Sequence, residues 1–154
     1  MKNFSFENIQ FITNNAYPLQ CNEPRFRINA FEYYRNEILT FSELENNWDG
    51  YGSIPLIKSI AEKSIKFIAS LHSSDIDSIS DIFSNSHGTL MIEWENSNEE
   101  KVCLEIGVLN YSYFVQYNNQ PTKYFKGDDI NSDIKNITQH LRELFGKEST
   151  LLFS

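Results

Sequence analysis

Two stretches of the chain repeat apolar residues every three or four positions, the period of one helix face. The first begins near Ala30 and ends at an Asp49-Gly50 turn, and its apolar stripe consists of Phe31, Tyr34, Ile38, Phe41, Leu44 and Trp48. The second follows Pro55, and its stripe consists of Ile57, Ile60, Ala61, Ser64, Ile68 and Leu71. Ser53 suits the N-cap of this second helix and Pro55 its first turn. The pattern predicts two amphipathic helices that meet at a short corner and pack together.

After a Ser- and Asp-rich stretch at 72–78, predicted to be a loop, the apolar period falls to two, which is typical of a half-buried strand. We predict strands at Ile79–Ser84 and Thr89–Glu95, with a turn at 85–88 between them. In the second strand Leu90, Ile92 and Trp94 share one face, while Met91, Glu93 and Glu95 share the other. A polar turn at 97–100 leads to a third strand with the inward residues Val102, Leu104, Ile106 and Val108.

The register of the next hairpin follows from the length of its loop. If Leu109-Asn110 is a two-residue loop, Val108 opposes Tyr111, and every inward residue meets an apolar or aromatic partner. The remaining pairs are Ile106 with Tyr113, Leu104 with Val115, and Val102 with Tyr117. The tyrosines then belong to the core, whereas Phe114 and Gln116 point outward.

The last third of the chain predicts one more short strand and a closing helix. Tyr124 and Phe125 form the strand, and Asp128 and Asp129 are suitable caps for the helix that follows. The buried stripe of this helix consists of Ile130, Ile134, Ile137, Leu141 and Leu144. Gly146 is a fitting stop.

This order of elements indicates an α+β fold. Two N-terminal helices joined at a Trp-Asp-Gly-Tyr-Gly turn, together with a C-terminal helix, cover one face of an antiparallel meander sheet of three to five strands. The length favours a single domain over residues 1–154. Residues 1–28 form an irregular N-terminal extension, in which the alternation near Phe4 and Phe6 suggests a short strand.

The charge balance bears on the class of partner. The chain carries 21 acidic and 13 basic side chains, a formal net charge of −8. A protein that binds duplex nucleic acid needs a cationic face, so we expect instead a protein partner with a basic surface, or a decoy role in which carboxylates take the place of phosphates. Plain solubility is the alternative explanation of this charge. No signal pattern opens the chain and no apolar run has the length of a membrane span, so we expect a cytoplasmic protein without a membrane partner.

No complete catalytic set is found in the sequence. Cys21, Cys103 and the three histidines are scattered, so we predict no metal site and no cofactor. The carboxylate-x-lysine arrangement of a sheet-borne nuclease is missing, because Glu95 follows Glu93 at that spacing and Gly107 follows Glu105. Phosphate-binding glycine loops and nucleophile turns are missing too.

Glycines, aromatic residues and a carboxylate crowd together in a single stretch, Asn47-Trp48-Asp49-Gly50-Tyr51-Gly52-Ser53-Ile54-Pro55. Asp49 can accept hydrogen bonds from the amides that follow it, and Trp48 and Tyr51 are expected to fill the space under the turn. The structural interpretation is therefore a corner with an aromatic plug. The functional interpretation makes Asp49 a ligand or a catalytic group on a rigid turn.

Glu93 and Glu105 are the second group of candidates. If they oppose one another across a hairpin, the like charges need a cation or a shared proton. A tighter loop places Glu95 opposite Lys101 and Glu93 opposite Cys103. The opposite-charge pair favours this second register, in which the carboxylates are ordinary residues of a solvent-exposed face.

The corner motif, with Ile92-Glu93-Trp94 and Leu104-Glu105-Ile106 downstream, resembles a group of small, largely uncharacterised bacterial proteins. These share an N-W-D-G-Y-G corner, a strand that ends in E-W and a following L-E-I strand. The resemblance covers roughly residues 35–115, and its first motif is the specific one. It implies an accessory protein of a bacterium, a phage or a mobile element.

We therefore expect a non-enzymatic factor that binds another protein, in the manner of an antitoxin, an immunity protein or an anti-defence factor. The candidate binding residues are Trp48, Asp49, Tyr51, Glu93, Glu105 and Phe114. One alternative is a divalent-metal hydrolase that uses Asp49, Glu93 and Glu105, since hard cations prefer oxygen ligands. Another is a small-ligand-binding module with its pocket between the corner and the sheet.

Overall fold

The fold is α+β, as the sequence predicts, and the computed structural model describes residues 28–151. Residues 1–27, which contain the expected strand of the N-terminal extension, lie outside the described part. The helices are α1 (Ala30–Ser42), α2 (Lys58–Ser70), α3 (Ser73–Asp77) and α4 (Ile134–Leu151). The strands are β1 (Asp81–Ser84), β2 (Leu90–Glu95), β3 (Lys101–Ile106), β4 (Tyr111–Gln116) and β5 (Lys123–Gly127).

The five strands form one antiparallel meander in which each strand pairs with its neighbours in the chain. The helices pack on one side of it, which we call the inner face. Alternate strand residues on this face are buried, as the period of two predicts, and they include Leu90, Ile92, Trp94, Val102, Leu104, Ile106, Tyr111, Tyr113 and Val115. The Trp94 ring is fully buried, and its N–H donates to the carbonyl of Asp75 in α3.

Of the two hairpin registers predicted from the sequence, one is confirmed and the other is wrong. Between β2 and β3, Glu95 pairs with Lys101 and Glu93 with Cys103, so the favoured register is confirmed. Between β3 and β4 the predicted pairing is wrong by two residues, because the connection is four residues long and Ile106 pairs with Tyr111. A shift of two preserves the faces. The inner set is therefore correct up to Ile106, while Val108 is 49% exposed.

The longer connection has a local cause. The amide of Gly107 donates to the carbonyl of Asn110 at 2.9 Å and closes the loop. The ammonium group of Lys63 in α2 donates to the carbonyls of Gly107 at 2.9 Å and Val108 at 2.6 Å. These contacts hold Val108 in the loop, where it cannot extend the strand.

Both N-terminal helices are shorter than predicted. Helix α1 ends at Ser42 rather than at Asp49, and Asn47 has a φ of 66°, which a helix cannot accommodate. Helix α2 begins at Lys58, with Ile57 at its N-cap position and no side-chain cap. Ser53 is not the predicted cap, because its hydroxyl donates to Asp49 instead. Pro55 precedes the helix rather than lying in its first turn.

Three further predictions of element ends are wrong. The expected loop at 72–78 contains the short helix α3. Asp128 and Asp129 do not cap α4, which begins at Ile134; the Asp129 carboxylate accepts from the Asn131 amide and the Ser132 hydroxyl in the preceding turn. Gly146 does not stop α4, which continues to Leu151, because this glycine does not adopt the left-handed conformation that ends a helix. No helix within residues 28–151 combines the length and the apolar character needed to cross a bilayer.

Candidate recognition surfaces

Residues 47–53, which we call the corner loop, are organised around the carboxylate of Asp49. One oxygen accepts the amides of Tyr51 at 2.9 Å and Ser53 at 3.2 Å, and the other accepts the Ser53 hydroxyl. The Ser53 hydroxyl, followed by the Tyr51 amide, holds the pKa of Asp49 below its ordinary value of 3.8. The predicted acceptance of the following amides is confirmed, and it engages both carboxylate oxygens within the loop.

The backbone of the corner loop closes on itself. The Asn47 amide donates to the Ser53 carbonyl at 2.6 Å, and the Asn47 side-chain oxygen accepts the Gly52 amide at 2.7 Å. Gly50 has a φ of 80° and Gly52 a φ of 89°, and the space around both glycines is open. The loop therefore requires glycine for its backbone dihedral angles and not for a close approach.

The segment after the corner loop is fixed to the turn between β1 and β2. The Ile54 amide donates to the carbonyl of Ser86, and the Ile57 amide donates to that of Gly88, each at 3.1 Å. A Cβ at Gly88 would lie 2.9 Å from the Pro55 carbonyl oxygen. The segment after the corner loop and the turn between β1 and β2 thus form a packed unit.

The aromatic rings of the corner loop do not plug it, so this prediction is wrong. Tyr51 is 93% exposed and Trp48 is 39% exposed. The Trp48 indole donates to the Ile54 carbonyl at 3.0 Å and so remains tied to the loop. Ile54 is itself 38% exposed. The loop presents an apolar and aromatic surface to solvent with Tyr51 at its tip.

The same side-chain arrangement recurs in two hairpin turns. The side-chain oxygen of Asn85 accepts the amides of His87 and Thr89, and that of Asn96 accepts the amides of Asn98 and Glu100. In both turns, as at Asp49, the acceptor bonds the amides two and four positions later. The residue three positions later has positive φ in all three cases: Gly52, Gly88 and Glu99. Such Asx turns stabilise the backbone locally and place no requirement on the residue at the second position.

On the opposite side of the sheet, the outer face, Glu93 belongs to an ion-pair network. The ammonium group of Lys101 lies 3.6 Å from the Glu93 carboxylate and 3.1 Å from that of Glu95. The hydrogen bond to Glu95, opposed in part by desolvation, raises the pKa of Lys101 above its ordinary value. All three side chains are about one-quarter to one-third exposed, so this network contributes little to stability.

Glu105 serves a different local purpose. Its carboxylate accepts the side-chain amide of Asn85 at 2.9 Å and the Thr89 hydroxyl at 2.6 Å. These bonds connect β3 to the turn on which the segment after the corner loop packs. Asp49, Glu93 and Glu105 therefore bind separate partners, and residues 28–151 contain no group of three His, Cys, Asp or Glu side chains that could hold a metal ion.

A diagonal band of apolar side chains crosses the outer face, and we call it the outer stripe. It consists of Phe83, Met91, Cys103, Phe114 and Tyr124, one residue from each strand. The last four of these, with Glu105, Ser112 and Lys126, contribute to the lining of a shallow cavity of about 510 Å³. Burial raises the pKa of the Cys103 thiol to about 11, followed by a smaller contribution from Glu93, so the thiol stays protonated and unreactive near neutral pH.

Of the residues that the sequence singled out, the corner loop contains Trp48, Asp49 and Tyr51, and the outer face contains Glu93, Glu105 and Phe114. Tyr124, 79% exposed, and Phe83, 39% exposed, were not singled out as site residues. Strand parity alone places both on the outer face once the registers are known. Comparison with known proteins adds no identification, because no protein-family model, curated protein or solved structure matches the chain.

Proposed function

We propose that this protein is a non-enzymatic binding factor whose corner loop inserts Tyr51 into a cleft of a partner protein. One observation carries the proposal: the neighbouring polar groups and both glycines of the loop maintain its shape, whereas the Tyr51 side chain is 93% exposed. Tyrosine and tryptophan dominate the energetics of many protein interfaces. A ring on a prearranged loop also loses little conformational entropy on binding.

The two related turns strengthen the case for Tyr51. The position that Tyr51 occupies, two residues after the Asx acceptor, is filled by His87 and Asn98 in the other two turns. The turn geometry therefore accepts ordinary polar residues there. The large, exposed ring of Tyr51 is therefore not needed to maintain the turn. Contact with a partner protein explains why such a ring is found at this position.

Charge around the corner loop favours a basic partner. Glu43 and Glu45 are exposed just before the loop, and the chain contains no lysine or arginine between Arg35 and Lys58. The acidic surroundings would accelerate encounter with a cleft that is rimmed by lysine or arginine. The resemblance to small bacterial accessory proteins rests mainly on this same loop, so an antitoxin, immunity or anti-defence role in a bacterium or its mobile elements is the biological setting that we propose.

A photo-cross-linking experiment tests the proposal. Benzoylphenylalanine replaces Tyr51 in one variant and Leu109, which is 81% exposed in another loop, in a matched control. Both are expressed in bacterial cells together with the neighbouring genes, and adducts are identified by mass spectrometry after illumination. We expect one discrete protein adduct from position 51 and none of it from position 109. The same adducts from both positions, or none from position 51, would overturn the proposal.

Binding of the purified partner then measures the contribution of the ring. We expect Tyr51→Ala to weaken binding by about 30-fold, the loss of about 2 kcal/mol that marks an interface hot spot. Leu109→Ala should leave the affinity unchanged, and neither substitution should shift the melting temperature, since both side chains lie in solvent. The double substitution Glu43→Lys/Glu45→Lys should slow association and reduce its dependence on salt.

A further inference from the structure

The shallow cavity on the outer face has an apolar side and a polar side. The apolar side is a row of residues across β3, β4 and β5, in which Cys103 pairs with Phe114 and Phe114 pairs with Tyr124. The ring centroids of Phe114 and Tyr124 lie 6.2 Å apart with their planes inclined by 52°, and Tyr124 is 79% exposed. These two rings offer aromatic surfaces to a flat apolar group.

The polar side is a second row across the same three strands. In this row Glu105 pairs with Ser112, and Ser112 pairs with Lys126. Each member lies two residues along its strand from the apolar row, a separation of about 7 Å. A carboxylate and an ammonium group thus flank a serine hydroxyl at the border of the cavity, and their backbones are two strand spacings, roughly 10 Å, apart.

Both charged groups of the polar row retain bonding capacity. Oε1 of Glu105 accepts the Asn85 amide at 2.9 Å and the Thr89 hydroxyl at 2.6 Å, whereas its Oε2 has no hydrogen-bond partner within residues 28–151. The Lys126 side chain is exposed and makes neither a hydrogen bond nor an ion pair with another residue of that range. A ligand with a single charge is attracted by one of these groups and repelled by the other. A ligand that carries both charges complements both groups.

We propose that this cavity binds an aromatic α-amino acid. The ring of the ligand packs on Phe114 and Tyr124, its ammonium group donates to Oε2 of Glu105, and its carboxylate accepts from Lys126. A single methylene group joins the ring of such a ligand to the carbon that carries both charges, which suits two rows so close together. The volume of about 510 Å³ lies in the range of small-molecule sites. The proposal is independent of the role of Tyr51, which does not line this cavity.

Titration of the full-length protein with L-tryptophan tests the proposal. We expect saturable binding in the millimolar range, because the cavity is shallow, with shifts of the backbone amide signals of Cys103, Phe114 and Tyr124 in NMR spectra. L-Leucine, which has both charges but no ring, should bind about tenfold more weakly. Two analogues remove one charge each: tryptophanamide lacks the carboxylate and N-acetyltryptophan lacks the ammonium group. Each should bind about fivefold more weakly than tryptophan, the upper range for an exposed ion pair.

Matched substitutions assign each charge of the ligand to its partner. Lys126→Gln should weaken tryptophan binding about fivefold and leave tryptophanamide binding unchanged. Lys123→Gln, at an exposed lysine of β5 that alternation places on the inner face, should change neither. Glu105→Gln keeps an acceptor for Asn85 and Thr89, and it should erase the preference for tryptophan over N-acetyltryptophan.

The comparison of the two lysine variants decides the outcome on its own, because both side chains are exposed and their substitution leaves the fold intact. Equal effects of Lys126→Gln and Lys123→Gln would overturn the proposal, since they would reduce the role of Lys126 to overall charge. So would the absence of saturable tryptophan binding, or a preference among the three ligands that survives in Lys126→Gln and Glu105→Gln.

Discussion

The corner loop and the turn between β1 and β2 use the same Asx arrangement, but they differ in what else they contact. Asn85 has an amide nitrogen in addition to its acceptor oxygen, and that nitrogen reaches Thr89 and Glu105. Asp49 has two acceptor oxygens, and both are occupied inside its own loop. The choice of asparagine or aspartate thus decides whether the turn is connected to the sheet or only to itself. A loop that satisfies itself leaves its tip free to contact another molecule.

The largest difference should emerge at the glycines three positions after each acceptor. Gly88→Ala should destabilise the fold by about 3 kcal/mol, because an L side chain in the left-handed region costs about 1 kcal/mol or more and the new Cβ also collides with the Pro55 carbonyl. Chemical denaturation measures the free energy of unfolding. A loss below about 1 kcal/mol would show that the two loops can separate without cost.

A smaller loss is expected in the corner loop itself. Gly52→Ala meets open space, so only its φ of 89° opposes the substitution, and we expect a destabilisation of about 1 kcal/mol. The same denaturation series provides the comparison with Gly88→Ala. Equal losses at the two positions would mean that backbone strain, and not packing, dominates both turns.

The turn between β2 and β3 should respond in the opposite direction. Glu99 has a φ of 62° at the position that glycine occupies in the other two turns, and its side chain is exposed. Glu99→Gly relieves this strain but gives the unfolded chain more freedom, so we expect a net stabilisation of about 0.5 kcal/mol. Thermal unfolding compares the variant with wild type, and a lowered melting temperature would contradict the assignment of strain.

The smallest effect concerns Asp49. Asparagine retains the acceptor for the Tyr51 and Ser53 amides, so Asp49→Asn should leave the melting temperature nearly unchanged at pH 7. The folded-state pKa of Asp49 lies below 3.8, chiefly because of the Ser53 hydroxyl. The carboxylate therefore stabilises the fold above pH 3.8, and this contribution is lost as the pH falls through the lowered pKa. Unfolding curves at pH 7 and pH 3 should show wild type losing more stability than the variant.

The sequence predicted those parts of the fold that depend on alternation and charge pairing. Leu90, Ile92 and Trp94 mark the inner face through their period alone, and the Glu95–Lys101 pair selects the correct register. The apolar alternation gave the wrong end for β3, because a contact with a residue distant in sequence decides where that strand ends. Lys63 draws the carbonyls of Gly107 and Val108 into a loop, and nothing near Val108 in the sequence signals this.

The sequence predicted which residues form the corner loop, but it did not predict which of their side chains are exposed. The sequence identified the corner loop through its glycines and aromatic residues, yet it placed Tyr51 inside. A large ring beside two glycines is compatible with a plug or with a projecting tip, and the deciding fact is the set of hydrogen bonds that satisfies the loop without the ring. These bonds join side chains to amides two to five positions away, a detail that apolar periodicity does not contain.

The strand order also has a consequence for the speed of folding. Every pair of adjacent strands in the sheet is also consecutive in the chain. Each hairpin therefore closes only a short loop, and the entropic cost of closing it is small. Sheets of this kind have a low contact order for their size, and proteins with low contact order cross their folding barrier quickly. Within the described residues, we expect the packing of α1 against β1 to be among the last contacts to form during folding, because α2 and α3 lie between these two elements in the chain.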